Sequence, residues 1–358
     1  MLWRLLNRLR GYERLKGRGD RLFLAGEFER AFREYSRARS ILSGSDHRAF
    51  ALDALLRSCE RQSSAISEEK LEDLVPPGLE DLFELAIGDK PASRAEAYRI
   101  LGPDFRAGYV ALVQGKANRA AHQLRKAAAA APSSFVVHLE LGRALSLASR
   151  LEEARDALEI AERLAPTDDE GRLLSAAVHL ELGRFQEARS RLLPLLDHGE
   201  AGPEVLYLMG KALSGLKHVD EALEKFRETV KIEPHFHEAF FEGGRLLKER
   251  GDVEGAFQLM SRASALAPDD VHYNRELASL VLSHALDERV GLAACDRLMV
   301  ADDENRWQYL HWIAELYIRR GWKREARDPL EKALALVPEE RRRERHAIEE
   351  MLSSLSGR

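Results

Sequence analysis

A chain of 358 residues is long enough for two ordinary globular domains. Its composition, 45% hydrophobic and 32% charged, is typical of a protein that folds in water and excludes intrinsic disorder. The formal net charge of −5, from 55 basic and 60 acidic residues, excludes a surface that is basic throughout, as in a protein that grips nucleic acid with its whole surface.

The chain begins with an amphipathic segment, residues 1–11. Five apolar side chains share one face of the predicted helix, while Arg4, Arg8 and Arg10 lie away from it. Such a helix can cap the helices that follow, associate with a second copy, dock a partner protein or lie on an anionic membrane. The residues of this predicted N-terminal interaction surface are Leu2, Trp3, Leu5, Leu6 and Leu9.

A helical hairpin pattern is present at residues 12–45, where Gly19, Gly26 and Ala31 hold positions that recur further along the chain. Its spacing is out of phase with the later copies, so it predicts an isolated repeat. Prolines and glycines interrupt residues 46–100, which predicts degenerate repeats or a helical connector. The helical stretches of that region are predicted at 50–59, 68–75 and 79–85.

A fixed period organises residues 101–340. Pro132 and Pro166 are separated by the same number of residues as Pro234 and Pro268. The gap between the two pairs is twice as long, as expected for a periodic series of prolines in which one proline is missing. A constant period of about 34 residues predicts one array of stacked structural units in place of two globular domains. Seven copies follow, at 101–134, 135–168, 169–202, 203–236, 237–270, 271–304 and, after a slip of two residues, 307–340.

Small residues recur at the eighth position of all seven copies; in six of the seven, the twentieth position is alanine and the twenty-fourth is a large apolar residue. This pattern predicts two helices, A and B, that cross closely at the small residues, with a glycine turn between them and proline after helix B. The turn glycines are Gly115, Gly183, Gly251 and Gly321. The eighth position is Gly108, Gly142, Ala176, Gly210, Gly244, Ala278 and Ala314.

These rows resemble the tetratricopeptide repeat family, which has the same period. The resemblance implies an all-α fold, a right-handed superhelical solenoid of antiparallel helix hairpins. The best-matching copy, 237–270, contains Gly244, Leu247, Gly251, Ala256, Ala263 and Pro268.

Two copies, 169–202 and 271–304, diverge from the family pattern. In the second, Val290, Ala294, Arg297 and Asp302 replace alanine, a large apolar residue, alanine and proline, so its helix B is expected to pack loosely or tilt. Pro194 and Pro329 are expected to kink their B helices or to delay their start. Residues 341–358 predict a capping helix, because Ile348, Met351, Leu352 and Leu355 have helical spacing.

The resemblance also implies a concave groove lined by the A helices, into which positions two, five, nine and twelve project. Cations beside aromatic rings in this groove suit an acidic peptide or helix with apolar anchors. Glu204, Glu238, Glu242 and Glu249 lie close enough to neutralise part of the charge. The predicted groove residues are Phe105, Tyr109, Arg143, Tyr207, Lys211, Phe241, Arg245 and Lys248.

The sequence contains no motif for catalysis, a metal or a cofactor. No phosphate-binding loop or dinucleotide fingerprint is present. Cys59 and Cys295 lie too far apart in sequence to indicate a disulfide framework or a cysteine-rich zinc site. His235 and His237 are interpreted as turn residues between repeats. We therefore expect neither enzymatic activity nor a cofactor.

The predicted function is that of an adaptor or scaffold that binds a peptide or helix of a partner protein in the groove while a larger complex assembles. The alternative is a membrane-peripheral or self-assembling scaffold, which acts through residues 1–11 and the ends of the solenoid. No apolar stretch long enough to span a membrane and no signal peptide are predicted. Arginine outnumbers lysine 43 to 12, which favours a bacterial cytoplasmic protein, and nucleic acid is not expected as a partner.

Overall fold

The computed structural model describes residues 30, 33, 35, 36, 79–88, 90–197 and 201–356. Within this part of the chain the fold is all-α, with seventeen bounded helices and no β-strand. The chain divides into two compact units, Met1–His198 and Gly199–Arg358. The predicted N-terminal surface, and all but a few of the residues up to 78, lie outside the described residues.

Unit 1 contains eight described helices, which we number α1 to α8. The first, α1, agrees with the helical stretch predicted at 79–85. From α3 onward, each predicted frame contains one antiparallel pair of helices, A and then B. The helices are α1 (Leu79–Ile87), α2 (Ala92–Arg99), α3 (Pro103–Val113), α4 (Ala117–Ala130), α5 (Phe135–Leu147), α6 (Leu151–Leu164), α7 (Asp169–Glu181) and α8 (Phe185–Asp197).

Unit 2 contains four further pairs and a terminal helix. Its helices are α9 (Pro203–Gly215), α10 (Val219–Ile232), α11 (His237–Arg250), α12 (Val253–Leu266), α13 (Val271–His284), α14 (Glu288–Ala301), α15 (Arg306–Arg319), α16 (Arg327–Leu336) and α17 (Arg342–Ser356). In both units, helix B of one pair packs against helix A of the next pair, which gives a continuous apolar core.

The turn between helices A and B has the same backbone geometry in all seven frames. The residue at the fifteenth position is left-handed each time, a conformation that favours glycine because other side chains strain the backbone there. Four frames have glycine, with φ between 71° and 87°, as the sequence predicts. The other three have Ser149 (φ 60°), Lys217 (φ 66°) and Ala285 (φ 50°), which the sequence pattern does not reveal.

The close crossing of helices A and B depends on the small residue at the eighth position. A Cβ atom added to Gly142 would lie 2.5 Å from Cγ of Leu158, the twenty-fourth residue of the same frame. The equivalent distance from Gly210 to the Phe226 ring is 2.6 Å. These contacts confirm that the two sequence rows face each other across the hairpin.

The copy at 271–304 packs closely, which corrects the expectation of a loose helix B. Helix α14 begins at the eighteenth position of its frame, one residue later than the B helices of the preceding copies. Gly291 therefore takes the place of the small residue, and a Cβ on it would lie 2.9 Å from Val281. Ala294, Cys295 and Leu298 are fully buried. The frame is shifted by one residue, and its packing is intact.

The two helix prolines have different outcomes. Helix α8 continues through Pro194, which has no backbone N–H to donate to the preceding turn. Helix α16 begins at Arg327, four residues later than the frame would place it, and Pro329 lies in its first turn, where no N–H is needed. A delayed start is thus found at Pro329, as expected.

The C-terminal helix α17 packs against α16. Ile348 is fully buried in the cluster formed with α15 and α16, and Met351, Leu352 and Leu355 pack against the same cluster. Among the described residues, no helix has the length and apolar character that a membrane crossing requires.

Candidate functional site

In unit 1, the predicted groove rings Phe105 and Tyr109 are buried, with exposed fractions of 0% and 4%. Phe83 of α1 meets both rings edge-on, at centroid distances of 6.4 and 6.3 Å. Tyr98 of α2 also meets both rings edge-on, with centroid distances of 5.2 Å to Phe105 and 5.0 Å to Tyr109. Aromatic pairs favour this edge-to-face arrangement. The two rings therefore lie beneath α1 and α2, and they are not open anchors for a partner, contrary to the expectation.

The predicted groove cation Arg143 forms ion pairs with two carboxylates of unit 1. Its side chain is 12% exposed, its Nε lies 3.0 Å from Oε2 of Glu140, and its Nη2 donates to Glu170. Burial opposes the charge of the guanidinium group, but the two carboxylates outweigh it and raise the pKa of Arg143 above its ordinary value. Arg143 is therefore not available to a partner's carboxylate.

Three carboxylates, Glu140, Asp168 and Glu170, form what we call the acidic cluster of unit 1. Residues of the preceding segment complete it. The Tyr98 hydroxyl donates to Oε1 of Glu140 over 2.5 Å, and Nη2 of Arg94 donates to Oδ1 of Asp168 over 2.6 Å. Nζ of Lys90 lies 3.8 Å from Oε1 of Glu170 and 4.0 Å from Oε1 of Glu140.

The electrostatics of the acidic cluster keep Glu170 charged. Burial alone would raise the pKa of Glu170, but Arg143, Lys90 and Arg94 outweigh burial and lower it to about 2. Burial, and then the nearby Glu140, raise the pKa of Tyr98 well above its ordinary value, so its hydroxyl remains a donor. The three carboxylates of the cluster are thus balanced by three cations, Lys90, Arg94 and Arg143, around the buried hydrogen bond from Tyr98 to Glu140.

The residues that build this cluster were not predicted as site residues. The signal that could have found the donors is their spacing, because Lys90, Arg94 and Tyr98 follow one another at intervals of four. Pro91 interrupts this spacing, because the helix begins only after the proline and Lys90 lies outside it. Glu140 stands at the sixth position of its frame, outside the four positions assigned to the groove.

In unit 2, the predicted rings Tyr207 and Phe241 are buried as well, with exposed fractions of 3% and 4%. Tyr207 packs against Phe236 with centroids 4.9 Å apart, and Phe241 stacks on Tyr273 at 4.4 Å. The Phe241 pair joins one repeat to its neighbour, whereas Phe236 is the last residue of the repeat that contains Tyr207. The expectation of open aromatic anchors is therefore corrected here too.

The predicted cations of unit 2 reach solvent. The side chains of Arg245 and Lys248 on α11 are 42% and 36% exposed. Arg245 pairs with Glu242 at 3.0 Å and with Glu249 at 2.6 Å, the neutralising neighbours that the sequence indicates. Lys248 pairs with Glu276 of α13 at 2.9 Å.

Lys211, at the ninth position of its frame on α9, is partly buried, and its Nζ lies 6.0 Å from the centre of the Tyr207 ring. This places it over a buried ring, within reach of the weak attraction between a cation and an aromatic face. We call Lys211, Arg245 and Lys248 the inner-face cations of unit 2.

Residues 90–197 and 201–356, with the shorter described stretches, hold no group of three or more His, Cys, Asp or Glu side chains placed to bind a metal ion. Nδ1 of His237 lies 3.2 Å from the Tyr273 hydroxyl, and its Nε2 lies 3.5 Å from Glu238. His237 thus contacts Glu238 of its own repeat and Tyr273 of the next repeat.

Comparison with solved structures gives matches of low sequence identity, and a search of curated proteins finds no match to this sequence. One similar solved structure is a tetratricopeptide repeat protein from Parabacteroides merdae, with 17% identity over 73% of this chain and 100% of that chain and a TM-score of 0.48. MamA from Desulfovibrio magneticus has 18% identity over 49% of this chain and 97% of that chain, with a TM-score of 0.43. YrrB, described as a tetratricopeptide repeat protein with an unusual peptide-binding site, has 18% identity over 53% of this chain and 97% of that chain, with a TM-score of 0.39.

The family itself is identified by its sequence model. The model of the tetratricopeptide repeat matches residues 105–169, 173–235 and 207–271. These matches cover helices α4 to α12, where the paired helices, the left-handed turn and the close crossing at the eighth position recur once in every repeat. Residues 105–169 and 173–271 of this chain therefore consist of tetratricopeptide repeats.

Proposed function

We propose that the chain is a non-catalytic adaptor that binds a peptide or helix of a partner protein on the A helices of unit 2 during assembly of a larger complex. The observation that carries the proposal is the exposure of Arg245 and Lys248, which stand at the ninth and twelfth positions of one repeat. The buried Tyr207 and Phe241, on α9 and α11, pack against Phe236 and Tyr273. A rigid face with exposed cations favours recognition of an acidic segment.

The carboxylates that already pair with these cations do not prevent such binding. A guanidinium group has five N–H donors, and Glu242 and Glu249 each accept from one nitrogen of Arg245. Ion pairs at this exposure contribute little stability, so a partner's carboxylate can share or replace them. Binding is therefore expected to weaken as the salt concentration rises.

Variants of the inner-face cations test the proposal. The full chain is immobilised and mixed with a lysate of its source cells, beside the variant Lys211→Glu/Arg245→Glu/Lys248→Glu. The matched control, Arg227→Glu/Lys231→Glu/Arg262→Glu, makes the same charge change at exposed positions on the B helices α10 and α12. We expect the inner-face variant to lose a partner that both the unmodified chain and the control retain. Equal recovery by all three proteins contradicts the proposal.

Arg143 is left out of this variant, although the sequence placed it in the same groove. Its replacement would remove the nearer of the two cations beside Glu140, which has no exposed surface. A buried carboxylate that loses its counter-charge destabilises the fold, so a loss of binding would have no single cause.

A further inference from the structure

Residues 90–98 of unit 1 contact three successive A helices. Tyr98 meets Tyr109 of α3 and donates to Glu140 of α5. The Arg94 guanidinium lies 5.1 Å from the centre of the Phe135 ring at the start of α5. Arg94 also pairs with Asp168, and with Glu170 of α7 at 3.5 Å. The segment thus crosses three successive A helices, which form the face that the family resemblance assigns to a partner peptide.

The helix in this segment is weakly held. Helix α2 has eight residues, and its N-cap is Pro91, whose side chain makes no capping hydrogen bond. Of its residues only Ala95 and Tyr98 are buried. Short helices are marginal in water and depend on packing against the rest of the fold. The segment is attached to the acidic cluster by two cations, Lys90 and Arg94, and by Tyr98.

Its attachment to the acidic cluster is also incomplete. Three buried polar atoms, Nη1 of Arg94, Oε2 of Glu140 and Nε of Arg143, have no hydrogen bond. The last two lie 3.0 Å apart as an ion pair without the alignment of a hydrogen bond. Buried polar atoms without hydrogen bonds cost free energy, so release of Arg94 into solvent would relieve that cost at its Nη1.

We propose that residues 90–99 are a displaceable internal occupant of this face, and that the face binds a partner segment with two cations and a tyrosine spaced like Lys90, Arg94 and Tyr98. Without Lys90 and Arg94, the three carboxylates of the acidic cluster face only Arg143 among the described cations, so the occupant must supply positive charge. The proposal deepens the proposed function, since it gives unit 1 a second partner-binding face of opposite charge preference. The two proposals rest on different residues and can fail separately.

A peptide in trans tests this directly. A labelled peptide that copies residues 88–101 is titrated into the full chain and into the variant Lys90→Ala/Arg94→Ala, and its binding is followed by fluorescence anisotropy. The matched control is Arg99→Ala, which removes a cation of the same helix whose partner is Glu84, outside the acidic cluster. A peptide with glutamate in place of both Lys90 and Arg94 controls for charge.

The expected result is that the Lys90→Ala/Arg94→Ala variant binds the peptide about tenfold more tightly than the unmodified chain and the Arg99→Ala control, because its internal competitor is weakened. The charge-reversed peptide is expected not to bind. Equal affinity of the variant and the unmodified chain overturns the proposal. A dimer of the unmodified chain that the variant fails to form would assign the face to a second copy, and this outcome overturns it as well.

If the variant does not fold, hydrogen exchange of the unmodified chain tests whether α2 is displaceable. A displaceable helix opens without global unfolding, so the amides of 92–99 should exchange about tenfold faster than those of α5, or more. Equal protection of the two helices would make α2 a permanent part of unit 1 and would overturn the proposal.

Discussion

Tyr98 donates a 2.5 Å hydrogen bond to Glu140, a residue 42 positions later in the chain that has no exposed surface. The bond joins α2, which precedes the first frame, to the A helix of the second frame. Tyr98 itself is fully buried against Phe105 and Tyr109. The polar side chains of this face are thus covered by α2 in this structure.

The first prediction concerns this hydroxyl group. Tyr98→Phe keeps the ring but leaves the buried Glu140 with one hydrogen bond fewer. We expect the free energy of unfolding to fall by about 1–3 kcal/mol, since the lost bond is made to a buried carboxylate. Urea denaturation measures the change. Tyr317→Phe is the control, and a Tyr98→Phe variant as stable as this control would contradict the role given to the bond.

The second prediction follows from the low pKa of Glu170. A carboxyl group whose pKa falls from 4.5 to about 2 on folding stabilises the protein at neutral pH, and this contribution is lost as the pH falls from about 5 toward 2. Glu170→Gln should therefore be less stable than the unmodified chain at pH 7, and the difference should shrink at pH 3.5. Urea unfolding at the two pH values measures it. Glu304→Gln, which removes a carboxylate at an exposed position, is the control.

The arrangement inside each repeat could be predicted from the sequence because it depends on local spacing. A constant period fixes which positions meet across a hairpin, as Gly142 and Leu158 do. The exposure of the groove could not be predicted in this way. Phe105 and Tyr109 have the spacing of groove residues, but they are covered by Phe83 and Tyr98, which lie outside the periodic part of the sequence.

The third prediction concerns the left-handed turn position. Lys217 has φ of 66° where four other repeats have glycine. Lys217→Gly should raise the free energy of unfolding by about 0.5–1 kcal/mol, because glycine relieves the strain of this conformation. The reverse change, Gly251→Ala, should lower stability although its Cβ would meet no atom within 4 Å. Thermal melts that move both variants in the same direction would contradict this explanation.

The fourth prediction tests the contact between the eighth and twenty-fourth positions. Gly142→Ala would place a Cβ 2.5 Å from Leu158, so we expect a loss of about 1–3 kcal/mol. Leu158→Ala alone removes a fully buried side chain and should also destabilise. The double variant should lose less than the sum of the two, because the added methyl group then has space. Additive losses in denaturant unfolding would mean that the two positions do not share a contact.

The divergent repeat shows why departures from a family pattern are hard to interpret from sequence. Arg297 stands where alanine is expected, yet it donates to Ser264 at 2.7 Å. Asp302 replaces the proline and accepts hydrogen bonds from Arg275 and Tyr309. A shift of one residue in α14 preserves the apolar packing, and polar pairs add contacts between neighbouring repeats. Neither change is visible in the spacing of a single repeat.

The measurement that tests the central claim most directly is the Kd of the recovered partner segment for three proteins: the full chain, the inner-face variant and the control with substitutions on the B helices. The account predicts that Lys211→Glu/Arg245→Glu/Lys248→Glu weakens binding about tenfold or more, while Arg227→Glu/Lys231→Glu/Arg262→Glu changes the Kd less than about twofold. Equal affinities of the two variants, with both proteins folded, would contradict a partner site on the A helices of unit 2.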